Sequence, residues 1–305
     1  MKIIKSIFEL YLITSIHVSF AVWALFRISV LYLDFDNNPY LDYLVVTSSI
    51  VGYNKIKYGS VFFKNRKLIS NEIIFTTILA FIIGLWSFAH VSLLTQFIFI
   101  ITFLIVVFYT IPPIPLKNNL RNTYGIKIFL VSFSWTMITH FSLINEVNSS
   151  NYFQYLILAI QRFIFVFVAI IPFEIRDIRI DESRIGTLPQ RFGIFKSKLL
   201  GILLLTVNIF ILFLVNNMIY FYKYLELSIY IFLGYSLIFS DKKKSLNFTR
   251  FWVEGIPIFW YINLFFLTIS RNKIFTVIII QFIFSFYLYF LNFQLHFERA
   301  HSYSL

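Results

Sequence analysis

The feature that most limits what this chain can become is the recurrence of apolar runs near the ~20 residues a helix needs to cross a bilayer. The runs fall at roughly 8–32, 41–58, 73–90, 92–111, 126–145, 155–175, 195–215, 219–239, 251–269 and 273–293. Hydrophobic residues make up 59% of the chain and charged ones only 13%, with a mean hydropathy of +0.80. Soluble domains are nearer a quarter charged. The short alternating segments of a membrane β-barrel are absent. The expected class is therefore all-α, a polytopic transmembrane helical bundle.

The linkers between these runs alternate in charge. Those around 55–67, 117–127, 176–198 and 241–250 are basic; those around 33–42, 90, 146–151 and 216–217 hold no Lys or Arg. The positive-inside rule places the N-terminus and the four basic linkers in the cytoplasm, in a cell inner membrane. Arg271 and Lys273 run against this pattern. The net charge of +12 is read as topology and not as a nucleic-acid surface. The first run follows Lys2 and Lys5 without a small-residue cleavage site and reads as a retained helix. With no cysteine, disulfides, thiolate metal sites and a cysteine nucleophile are excluded.

Three polar stretches lie on the predicted cytoplasmic side. The first, Ile171–Gly193, holds four of the chain's 14 acidic residues, Glu174, Asp177, Asp181 and Glu182, interleaved with Arg176, Arg179, Arg184 and Arg191. The spacing puts Glu174, Asp177 and Asp181 on one face if the sixth segment continues as a helix. Carboxylates a turn apart suit Mg²⁺, which takes one or two of them and completes its shell with water and phosphate oxygens. The alternative is that the acids pair with their arginine neighbours. The second stretch, Tyr109–Arg121, ends the fourth segment at its prolines. Lys117 and Arg121 follow, four apart, either as a grip for a diphosphate or as membrane anchors. The third, Gly52–Lys67, carries Asn54 and several lysines without a carboxylate.

Together these stretches resemble the UbiA superfamily of intramembrane prenyltransferases, in a divergent branch. The match to the second aspartate-rich motif runs through Asp177, Asp181, Gly186, Thr187, Leu188 and Pro189 to Gly193. Tyr109, Pro112, Pro113, Leu116 and Lys117 match the element after the fourth helix. The resemblance implies nine core helices around a lipid-open cavity over residues 1–270, with 271–305 as a possible tenth helix and short tail. It also implies Mg²⁺ as cofactor and, as substrates, a prenyl diphosphate and an aromatic or lipid acceptor. Asp177 and Asp181 would hold metal, and Lys117 and Arg121 the diphosphate. Gly186 and Thr187 would shape the site loop.

This sequence departs from the family in two places. The step from Asp181 to Thr187 is one residue short, and the first motif survives only as Asn54. The position of its aspartate holds Tyr58, a possible cavity residue, among Lys55 and Lys57. One of these lysines is expected to stand in for the missing metal at the diphosphate. A prenyl-lipid binder without chemistry and a transporter are the rival readings, the latter lacking a visible internal repeat.

Intramembrane charge is costly and often functional, which singles out Glu9, Arg27, Arg162 and Glu254. Arg162 and Glu174 are possible cavity residues; the alternative for Arg162 is pairing with Glu9 or Glu254. His17 and His140 have no second ligand at metal spacing and read as satisfied core residues.

Overall fold

The computed structural model describes residues 2–36, 38–112, 119–147, 152–179, 185–214 and 220–269. These form ten α-helices, with no strand among them. They are α1 (Lys2–Ile13), α2 (Ile16–Leu33), α3 (Pro39–Lys64), α4 (Asn71–Phe88), α5 (Leu93–Thr110), α6 (Lys127–Thr139), α7 (Tyr152–Asp177), α8 (Leu188–Leu214), α9 (Tyr220–Ile238) and α10 (Ile256–Ile269). Seven stretches, on α2, α4, α5, α6, α7, α8 and α10, are long and apolar enough to span a bilayer. The chain is a multi-pass membrane protein. The expected segment at 273–293 lies outside the described residues.

The first apolar run is two helices instead of one. Ser15 adopts a left-handed backbone (φ 63°), which breaks the run between α1 and α2. A left-handed non-glycine residue costs on the order of 1–3 kcal/mol and persists only where its surroundings fix it. Here the Tyr58 hydroxyl donates to the Ile13 carbonyl at 2.8 Å, and the Thr14 hydroxyl to Leu10 O at 2.7 Å. Carbonyls freed at the end of α1 thus find donors inside the protein, as a low-dielectric setting requires.

The main core joins α7, α8, α9 and α10, with Phe165, Ile171, Tyr230, Phe232 and Trp260 buried in it. A second cluster joins α2, α3 and α5 through Phe26, Leu44, Val45 and Phe99. Helices α4 and α5 turn large apolar side chains outward, among them Phe75, Ile82, Phe97 and Phe103. In water that surface would be untenable; against lipid tails it costs nothing. Interhelical polar contacts add specificity: the Gln161 and Asn208 amides each donate to the other's backbone carbonyl, at 3.3 and 3.0 Å, across α7 and α8.

Described parts of the basic linkers contact one another or the break between α1 and α2. Tyr58 meets Ile13, His17 Nε2 lies 3.0 Å from the Phe251 carbonyl, and Gly125 N donates to Ile185 O at 2.9 Å. Both histidines are satisfied: His17 also meets the Tyr11 hydroxyl, and His140 lies between the Ser29 hydroxyl and the Tyr155 carbonyl.

Candidate functional site

Two apolar cavities flank α3 and share the wall formed by Ser48, Gly52, Thr102, Val106 and Ile138. The larger, ≈ 290 Å³, lies between α3, α4 and α5, and Lys55 is the one charged residue lining it. The smaller, ≈ 140 Å³, lies between α2, α3, α5 and α6. Its basic end is walled by Tyr53, Ile56, Tyr109 and Trp135, with Trp135 Nε1 donating to the Tyr53 hydroxyl at 2.6 Å. A Cβ built on Gly52 meets nothing within 4 Å, so the two cavities face each other across an open stretch of helix.

One turn beyond Tyr53 along α3, the exposed Lys57 ammonium lies 6.0 Å from the Tyr53 ring centroid. Glu254 and Arg250 lie within electrostatic range of it. Residues Phe248–Val253 form a π-helical turn ahead of α10, closed by Glu254 N donating to Thr249 O at 3.1 Å. The wide turn offsets the helix. Thr249 thereby meets the Arg176 guanidinium from α7, which donates to its hydroxyl.

The acidic stretch is organised differently from the family pattern. Asp177 is clamped by its chain neighbour: Arg176 Nε and Nη2 donate to its two oxygens at 2.6 and 2.8 Å. Arg176 also lies 5.3 Å from the Phe173 ring. Glu174 is buried, and its Oε2 accepts from Leu188 N at 3.1 Å, capping the start of α8. A helix N-terminus, with its unpaired N–H donors, is a natural seat for a carboxylate. Of the expected metal pair, Asp181 lies outside the described residues, as does Lys117. Arg121 lies half-buried in the short 3₁₀ turn Leu120–Asn122.

The site loop is fixed by packing. Gly186 has φ 58°, and a Cβ there would fall 2.2 Å from the Tyr124 ring, so only glycine fits. Arg191 stacks on the other side of Tyr124, 4.7 Å from the ring centroid. Thr187 N is capped by Gln190 Oε1 at 3.0 Å, with the Thr187 hydroxyl buried and without a hydrogen-bond partner.

Other expected residues have structural partners. The Asn54 amide donates to Thr77 Oγ1 of α4 at 2.8 Å, and Tyr58 closes the α1–α2 break. Arg162 pairs with neither Glu9 nor Glu254. Its guanidinium donates to the Leu25 carbonyl and to Ser29 Oγ, the latter at 3.1 Å, and it lies beside Glu226, Tyr230 and Tyr32. The cavity it borders is only ≈ 10 Å³. Arg27 lies 3.4 Å from Asp42, which also accepts from Trp23 Nε1. Sequence reasoning passed over Arg250 and Glu226. Glu226 carried the same signal as Arg162, a charge inside an apolar run.

As it stands, Asp177 does not offer a free carboxylate to a divalent cation: Mg²⁺ demands near-octahedral oxygen ligation, yet both Asp177 oxygens are held in the Arg176 fork. No group of three acidic or histidine side chains suited to a metal occurs among the described residues.

The fold is similar to that of a solved structure described as a digeranylgeranylglyceryl phosphate synthase in membranes, with a TM-score of 0.53 at 15% identity over 86% of this chain and 98% of that one. Such a likeness speaks for the fold alone. No family model matches the sequence, and no curated protein does.

Proposed function

We propose that the chain is a prenyl-diphosphate-dependent transferase of the inner membrane, moving a prenyl group to an aromatic or lipid acceptor. The observation that carries this reading is the pair of apolar cavities along α3, with Lys55 lining the larger and Lys57 over the Tyr53 ring that walls the smaller. An isoprenoid tail fits walls such as Val51, Phe81, Phe99 and Phe103. Its diphosphate would then reach Lys55 on one side and Lys57 on the other. In chemical terms, the C1–O bond breaks with both electrons leaving on the diphosphate, the acceptor bonds to C1, and the acceptor's proton leaves. The faces of Tyr53, Tyr109 and Trp135 line the cavity where positive charge at C1 would develop, and aromatic faces attract such charge.

The Mg²⁺ expectation rests on Asp177 joining Asp181 as ligand, against the Arg176 clamp. That clamp also favours a second reading, a prenyl-lipid binder without chemistry. One experiment separates the two. Purified full-length protein is given a radiolabelled prenyl diphosphate, and bound label and released pyrophosphate are followed together. Binding with release in the presence of acceptor lipids supports a transferase, and binding that never yields pyrophosphate supports the binder. Absence of binding refutes both.

A further inference from the structure

We infer that Tyr53 and Trp135 make the smaller cavity a binding site for an uncharged single-ring phenol, and one that rejects aromatic carboxylates. The Tyr53 hydroxyl would hold the oxygen of the ring, with Trp135 as the residue that positions that hydroxyl. Calling this occupant the acceptor rests on the transferase reading, whereas its binding does not.

The cavity measures ≈ 140 Å³. An engineered protein cavity of about 150 Å³, lined by Leu, Ile and Phe, takes up benzene. The walls here are of the same kind, with Ile105, Val106, Leu130 and Val131 among them. One six-membered ring fits such a space with little to spare.

The hydroxyls of the wall are not equivalent. Ser49 and Thr102 donate to their own helices, to Val45 O at 2.7 Å and to Ile98 O at 2.9 Å. Their protons are thereby taken. Tyr53 differs: its oxygen accepts from Trp135 Nε1 at 2.6 Å, and no acceptor for its own proton occurs among the described residues. A phenolic hydroxyl both accepts and donates, whereas an indole N–H only donates. The contact therefore fixes the direction of one Tyr53 lone pair and leaves the proton for a guest in the cavity that both residues line. It joins α6 to α3, with the two rings at 89° and their centroids 6.3 Å apart.

Charge selects among such guests. No charged side chain among the described residues lines this cavity, and Lys57 lies over the Tyr53 ring, 6.0 Å from its centroid, outside the wall. A carboxylate brought here would lose its water without gaining a cationic partner. A phenol, which ionises at about pH 10, arrives neutral. The larger cavity, with Lys55 in its wall, is the contrasting case, and the open stretch at Gly52 brings the two spaces within reach of each other.

The test is fluorine NMR of para-fluorophenol, para-fluorobenzoate and fluorobenzene with detergent-purified full-length protein. The phenol should bind, and the benzoate at least about tenfold more weakly, since its charge goes unpaired. Tyr53→Phe should weaken phenol binding by about three- to tenfold, the usual worth of one neutral hydrogen bond, and leave fluorobenzene within about twofold. Retained fluorobenzene binding also shows that the variant is folded. Trp135→Phe should narrow the gap between phenol and fluorobenzene in the same sense, which a mere loosening of the wall would not do. Val131→Trp, which fills the cavity, should abolish both. Phenol binding that is unchanged in Tyr53→Phe or Val131→Trp overturns the assignment, as does benzoate binding as tight as that of phenol. A non-hydrolysable prenyl thiolodiphosphate is titrated into the same protein. Phenol bound as expected without prenyl binding upholds the cavity and removes the transferase reading; prenyl binding without phenol binding does the reverse.

Discussion

Gly52 offers the sharpest separation between stability and function in this molecule. It lies within α3, where alanine is favoured over glycine by about 1 kcal/mol on propensity alone. No atom lies within 4 Å of a Cβ built there, so nothing opposes that gain. Gly52→Ala should therefore raise the melting temperature by roughly 2–4 °C, the usual return on 1 kcal/mol in a large domain. Gly52→Trp is expected to fold as well, because its indole has open space on both sides of the helix. That space is the shared wall of the two cavities. Filling it displaces about one isoprene unit of a bound tail. At ~0.8 kcal/mol per buried carbon the loss would approach about 4 kcal/mol. The tail leaves lipid and not water, however, so its contacts are partly exchanged for equivalent ones. A loss of about 1.5–3 kcal/mol, roughly 10–100-fold in affinity, is the working figure. Scanning fluorimetry in detergent reads the first effect and binding of a prenyl thiolodiphosphate the second. A Gly52→Trp protein that melts like the parent and binds with parental affinity would show that the tail lies elsewhere.

Three further substitutions test how the site is held. Tyr58→Phe removes the donor to Ile13 O and should cost about 1 kcal/mol, seen as a modest fall in melting temperature. Gly186→Ala forces a side chain into a left-handed backbone, worth about 1–2 kcal/mol, and into the Tyr124 ring. Tyr124→Ala in the same chain should recover the steric part of that loss but not the backbone part, as a double-mutant cycle in thermal unfolding would show. Arg162→Leu deletes one member of a buried polar network and should destabilise by about 3–5 kcal/mol. Glu226→Gln should cost under about 1 kcal/mol, since Tyr230 and Tyr32 keep an acceptor; equal losses for the two would refute this view of the network.

Much of the architecture was legible because bilayer thickness and backbone satisfaction leave few options. Each described apolar run is helical, the first of them broken in two at Ser15. The Tyr124–Gly186 contact was half visible, as a glycine ahead of Thr187-Leu188-Pro189. The break at Ser15 was not, because a buried left-handed serine depends on Tyr58 more than 40 residues away. Nor was the part played by Glu174: spacing placed it beside Asp177, whereas the turn into α8 drew it to Leu188 N. Motif matching favoured Asn54 and overlooked Arg250, since the register of a π turn cannot be read from local sequence. The proximity of Lys57 to Glu254 is a tertiary fact that no spacing rule encodes.

Intramembrane charge suggests function by default, yet this protein holds two such clusters with different surroundings. Around Arg162 the donors are matched by Leu25 O and Ser29 Oγ, and the adjoining cavity of ≈ 10 Å³ has room for about one water. The unpaired Glu226 Oε2 and Gln161 Oε1 need no larger guest than that. Such a cluster fixes how α2, α7, α9 and α10 pack. Along α3, Lys57 is exposed and lies over the Tyr53 ring that walls a cavity of ≈ 140 Å³, and Lys55 is the charged residue lining its larger neighbour. An excess of positive charge beside unfilled apolar space is not a way to stabilise a bundle in lipid. It is a way to receive an amphiphile whose head is anionic, and the space beside a buried charge separates the two cases.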